Sequence, residues 1–174
     1  MKKGQKGFTF LELLLALTIS ALIAGATLGS IFQVMKNTQR NNNQLTATRE
    51  VQNAGFWIGK DAQLAQIVTV NMTTPYFLQL DWTEGFSGDI YQVVYTFEDI
   101  PDKETKKLLR NLSVNGGANA TILVASYIDP DIALTSGNYT GNTLNLMLTA
   151  TVGDDATEKI ETRLYQLSPR PGDG

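Results

Sequence analysis

The spacing of apolar positions changes character twice along this chain. From Phe8 to Phe32 apolar residues follow one another with few interruptions, and Leu13 to Met35 is a run of 23 residues without a formal charge. A helix over 8–32 would measure about 37 Å at 1.5 Å per residue, more than the roughly 30 Å hydrocarbon core of a bilayer. After Met35 the sequence turns polar, yet it holds no proline before Pro75. Within "KNTQRNNNQLTATREVQNAGFWIGKDAQLAQIV", Ala47, Val51, Ala54, Ile58, Ala62 and Ala65 recur at intervals of three and four, the stripe of an amphipathic helix. This pattern predicts that the helix continues out of the membrane. "RNNNQ" at 40–44 consists of poor helix formers and is its weak point. Phe56 and Trp57 read as core aromatics of the outer half.

From residue 67 the period becomes two. "YFLQLDW" (76–82), "YQVVYTF" (91–97), "KKLLRNLSV" (106–114), "ATILVASYI" (120–128), "TLNLMLTATV" (143–152) and "ETRLYQL" (161–167) read as six strands. Turn residues separate them in "TEGFSGD", "DIPDKET", "NGGAN", "DPD", "SGNYTGN" and "GDDATE". One long helix followed by six strands predicts an α+β fold. An antiparallel sheet would pack one face on the outer half of the helix and leave the other in water. The expected divisions are a leader (1–7), a membrane-spanning helix (8–35), its extracytoplasmic continuation (36–68), a sheet domain (69–167) and a flexible tail (168–174).

Composition narrows the chemistry. The 174 residues contain no cysteine and no histidine, which removes thiolate nucleophiles, disulfides, zinc-thiolate sites and the commonest general base. An enzyme is not expected. A net charge of -3 and a pI near 4.9 argue against a nucleic-acid surface. Lys103, Lys106, Lys107 and Arg110 are interleaved with Glu98, Asp99, Asp102 and Glu104, a mixed-charge solvated hairpin.

Lys2, Lys3 and Lys6 precede the apolar run, so the N-terminus is expected in the cytoplasm and the chain beyond residue 35 outside. An ordinary signal peptide fits poorly, since its apolar region is about 7–15 residues long and ends at a small-x-small site. A plain anchor explains the length but not Glu12, because an acid within a spanning helix costs about 2.5–3.5 kcal/mol at the helix centre and less near the interface. An alternative of a different class is a membrane-tethered exported module whose sheet domain binds a ligand.

"GFTFLELLLAL", following a short basic segment, resembles the class III leader of type IV pilins and type II secretion pseudopilins. The resemblance implies that a prepilin peptidase cuts between Gly7 and Phe8 and that the new Phe8 amine is methylated. It also implies partners: other pilin or pseudopilin subunits, an inner-membrane assembly platform, and membrane lipid before assembly. Glu12 would then pair with the Phe8 amine of a neighbouring subunit and set axial register, since burying both charges together costs far less than burying either alone. Gly25 and Gly29, four apart, are candidates for close helix packing. Arg49, Gln52, Asp61, Ala65, Val93, Tyr95, Leu108 and Arg110 further resemble a pattern of J-type minor pseudopilins and related minor pilins.

No cofactor is expected. Calcium is the one metal considered, with Asp129, Asp131, Asp154 and Asp155 as oxygen donors in turns, and no EF-hand loop pattern is present.

Overall fold

A computed structural model describes residues 9–71 and 73–170, the side chain of Asp155 excepted. The Cα trace falls into two compact units that divide between Asn41 and Asn42. A single helix, α1 (Phe10–Ala62), supplies the described helical residues of the first unit and enters the second. "RNNNQ" does not break it, and Asn43 and Gln44 are instead used as side-chain donors to the sheet domain.

In the first unit every helical residue from Phe10 onward is exposed, including Leu13, Leu17, Ile23, Phe32 and Met35. A helix apolar on all sides and bare of protein partners is one built for a nonaqueous surround. It is long and apolar enough to cross a membrane.

The second unit is α+β. Eight strands follow the helix: β1 (Ile67–Val70), β2 (Tyr76–Thr83), β3 (Ile90–Asp99), β4 (Lys106–Val114), β5 (Ala120–Ile128), β6 (Ser136–Thr140), β7 (Thr143–Val152) and β8 (Lys159–Leu167). They form one antiparallel sheet in the order β1-β2-β3-β4-β5-β7-β6, with β8 paired along β7 from Leu144↔Leu167 to Val152↔Lys159. The sheet curls until β6 stands beside β1, where Gly137 lies against Val70.

Six strands sit where the alternation places them. The other two are short. β6 lies inside "SGNYTGN", expected to be wholly turn; only Gly141 and Asn142, both at positive φ (56° and 61°), form the two-residue hairpin loop. β1 begins five residues after α1 stops at Ala62, with Ala65 N–H closing the last turn on Asp61 O.

The helical stripe is the core seam. Ala47, Val51, Ala54, Ile58, Ala62 and Ala65 are fully buried, packed in one cluster with Phe77, Leu80, Val93, Tyr95, Leu108 and Leu148. Full burial of a side chain the size of Val51 or Ile58 stabilises by about 1.5–3 kcal/mol. Phe56 departs from expectation, because it is 66% exposed on the opposite side of the helix. Trp57 is half-buried at the edge of the core. Being aromatic did not decide burial; angular position on the helix did.

Candidate assembly segment and the clasp at the helix end

The candidate site residues Lys2, Lys3, Lys6, Gly7 and Phe8 lie outside the described residues. The first described contacts belong to Thr9 and Glu12. Thr9 N–H donates to Glu12 Oε2 at 2.9 Å, Thr9 Oγ1 donates to the same oxygen at 3.0 Å, and Glu12 N–H donates back to Thr9 Oγ1 at 3.3 Å. This is a capping box, in which the T-x-x-E spacing satisfies two N–H groups that a helix start leaves without partners. The carboxylate also lies at the positive end of the helix dipole. The T-x-x-E signal stands in "TFLE", so Glu12 has a local capping role beside the register role expected of its charge. Glu12 is therefore occupied within its own chain, by groups that are exposed.

Gly25 and Gly29 have nothing within 4 Å of where a Cβ would stand. Gly55 and Gly59, also four apart, lie on the buried stripe instead, and Gly55 is the helical glycine that makes a close approach. A Cβ on Gly55 would run into the ring of Tyr165, and one on Gly59 would touch Leu167 at 3.5 Å. The open backbone at 55 lets Tyr165 reach across the helix and donate its hydroxyl to Val51 O at 2.9 Å. With Asn43 Nδ2 donating to Thr157 O and Gln44 Nε2 to Glu161 Oε2, this seam runs the length of β8.

At the far end of α1 lies a buried ionic clasp. Asp61, 1% exposed, accepts from Arg110 Nε at 2.6 Å, Arg110 Nη2 at 2.8 Å and Tyr95 Oη at 2.6 Å. The fork of the guanidinium matches both carboxylate oxygens, the arrangement in which such pairs are strongest. Trp57 lies 5.4 Å from the Arg110 guanidinium carbon and shields it from water. Burial pushes the Tyr95 phenol far above its usual range, with the Asp61 charge adding to it. The hydrogen bonds that Arg110 donates to Asp61 raise the guanidinium above its ordinary value. Asp61, Tyr95 and Arg110 are three of the eight positions of the minor-pseudopilin pattern, and the fold brings them together. Ala65, Val93 and Leu108 from that pattern are buried core, whereas Arg49 and Gln52 are exposed on the helix.

The turn acids are held by backbone. Asp129 Oδ1 accepts Asp131 N–H at 3.0 Å and Asp131 Oδ1 accepts Ala133 N–H at 2.9 Å, so both carboxylates serve their own turn. Asp129 and Asp154 border one open concavity of about 260 Å³ with Asp102, Lys103, Glu104 and Glu158. Among the described residues no group of three or more acidic side chains is arranged to hold a metal ion. The lysines of the β3–β4 hairpin are paired, Lys106 with Asp99 and Lys107 with Glu98 at 2.9 Å.

Residues 2–28 match the family described as the prokaryotic N-terminal methylation motif. No curated protein and no solved structure matches the chain. The motif supports a class III prepilin leader of the type IV pilin and pseudopilin family, and with it a chain that a prepilin peptidase processes for assembly with other pilin subunits. Members of that motif family are structural subunits rather than enzymes. One apolar helix near the N-terminus is consistent with single-pass anchoring in the inner membrane.

Proposed function

We propose that this chain is a minor pilin or pseudopilin subunit, inserted with Lys2, Lys3 and Lys6 in the cytoplasm, cut between Gly7 and Phe8, and methylated on the Phe8 amine. The mature helix waits in the membrane and is then drawn into an extracytoplasmic filament by the assembly platform. Its apolar half packs in the filament core, and the sheet domain faces outward.

One observation carries this reading. The matched segment, residues 2–28, overlaps a helical stretch whose apolar side chains are all bare, followed by a helix half whose stripe from Ala47 to Ala65 is buried against a sheet. A tether needs no acid at its start, and a soluble core helix would not leave both flanks uncovered. Glu12 fits the register role because the Phe8 amine of a neighbour is a fixed cation and the surroundings have a low dielectric constant.

The capping box shapes the test. Glu12→Ala removes charge and cap together, whereas Glu12→Gln keeps an oxygen able to cap and removes only the charge. Both variants are expected to be cleaved and to stay out of filaments. Normal incorporation of Glu12→Gln would reduce Glu12 to a cap. Mass spectrometry of the native N-terminus decides the wider reading: N-methylphenylalanine at Phe8 is expected, and an intact Met1 or a cut after residue 25 would favour the tethered module. Gly7→Arg is expected to leave the full-length precursor.

A further inference from the structure

The face of the sheet turned away from α1 changes character across β6, β7 and β8. Leu144, Leu146, Leu148 and Ala150 of β7 are buried toward the helix, so the residues between them and their cross-strand partners point outward. Twelve outward positions result on the three strands, and none is charged. Nine carry a hydroxyl or a carboxamide, and Met147, Ile160 and Leu164 are apolar. A solvent face of ordinary composition has charges at about a quarter to a third of its positions. The outward face of β3 and β4 is of that kind, with Glu98 paired to Lys107. On β6, β7 and β8 the three charged residues, Lys159, Glu161 and Arg163, all sit on the α1 side.

Two rows cross the middle of this face. Asn138, Asn145 and Gln166 are direct neighbours on three successive strands, and Ser136, Met147 and Leu164 form the row beside them. A concavity of about 640 Å³ lies against the two rows. The β5–β6 connection walls one end, where Thr149 is held by Leu134 O and Thr135 Oγ1. Leu164 leaves 79% of its surface bare. The side-chain hydrogen bonds on these strands belong to Tyr139, Thr149, Glu161, Thr162, Arg163 and Tyr165, so the three carboxamides have no partner among the described residues.

What this face lacks defines what it can hold. Without a cation it offers nothing to a phosphate, sulfate or carboxylate polymer, and without a carboxylate it offers nothing to an amine. A hydrocarbon-faced partner would strand its hydroxyls and carboxamides without hydrogen bonds. A neutral sugar meets both demands. Its hydroxyls donate and accept, as each carboxamide does, and its C–H flank can rest on Met147 and Leu164. Neighbouring strands lie about 4.8 Å apart, close to the length of one sugar unit in an extended β-linked chain. We propose that the outer face of β6, β7 and β8 binds an extended neutral glycan laid across the strands, one sugar to each carboxamide of the Asn138, Asn145 and Gln166 row. The face belongs to the sheet domain, so binding does not depend on how the N-terminus is processed or on assembly.

The full-length chain, in a detergent without a sugar headgroup, would be titrated calorimetrically with cellohexaose and with β-linked mannohexaose. Binding of at least one is expected, and more tightly than its disaccharide, because three strands engage three sugars. Combining Asn145→Ala and Gln166→Ala should weaken it about tenfold or more, since two hydrogen-bonding side chains are lost. Both positions are exposed, and an unchanged circular dichroism spectrum shows that the fold is kept. Gln63→Ala, exposed on α1, should bind as the parent chain does. Binding of neither hexaose overturns the proposal, as does equal affinity for the disaccharide or binding that the double variant leaves intact. Preference for anionic polygalacturonate overturns it too, since that ligand needs a cationic site. Self-association lost in the double variant, with no sugar bound by the parent, would make the face a protein contact instead.

Discussion

The two halves of α1 share one secondary structure and almost nothing else. From Phe10 to Met35 the helix is apolar on every side and every residue is exposed, so its helicity follows from length, propensity and a cap. After Asn42 the apolar positions narrow to a stripe of Ala, Val, Ile and Gly, and a sheet, a tyrosine hydroxyl and an ion pair hold it. Glycine shows the difference best. Gly25 and Gly29 face open space, and Gly55 is pressed against a ring. The same residue type at the same spacing thus stands open in one half and inside a packed seam in the other.

The sharpest way to break that contrast is at the clasp. Arg110→Ala leaves Asp61 buried without its cation and is expected to destabilise the sheet domain by about 3–5 kcal/mol, seen as a lower midpoint in thermal or urea unfolding. An unchanged midpoint would mean that water reaches Asp61 despite Trp57. Next in size is the glycine comparison. Gly55→Ala forces Tyr165 out of its place and is expected to cost about 1–3 kcal/mol by the same measurement. Gly29→Ala meets nothing and gains helix propensity, so the sheet domain's midpoint should not move. Equal effects at the two sites would dissolve the distinction between the halves.

Tyr95→Phe comes third. It removes one hydrogen bond to Asp61, about 1 kcal/mol. It also changes the response to base. The folded phenol titrates above its unfolded value near 10, so its contribution is complete below pH 10 and is lost as pH rises beyond it. The variant should therefore show a shallower loss of stability above pH 10 than the parent chain. The smallest effect is local: Thr9→Ala opens the capping box, so first-turn amides should exchange faster in detergent while the sheet domain stays unaltered.

Much of this was legible because periodicity is a direct image of burial. The six-residue stripe from Ala47 to Ala65 and the six longer strands follow from spacing alone. β1 and β6 escaped because four or five residues hold too few alternations, and "SGNYT" has turn composition although its pairing with β7 makes it a strand. Phe56 is exposed because its helical angle, not its aromatic character, sets which side of α1 it occupies. Nothing local marks Gly55 as a packing site, and only the position of Tyr165, 110 residues later, shows why a side chain is missing there. The Asp61–Arg110–Tyr95 cluster joins α1, β4 and β3, a meeting that no local pattern displays.

The capping box has one more consequence. Both of its members, Thr9 and Glu12, stand downstream of the proposed cut between Gly7 and Phe8. Removing the leader therefore leaves both members of the cap in place. A cut at that place would change the identity of the terminus while the hydrogen bonds that start the helix stay on the same side of it.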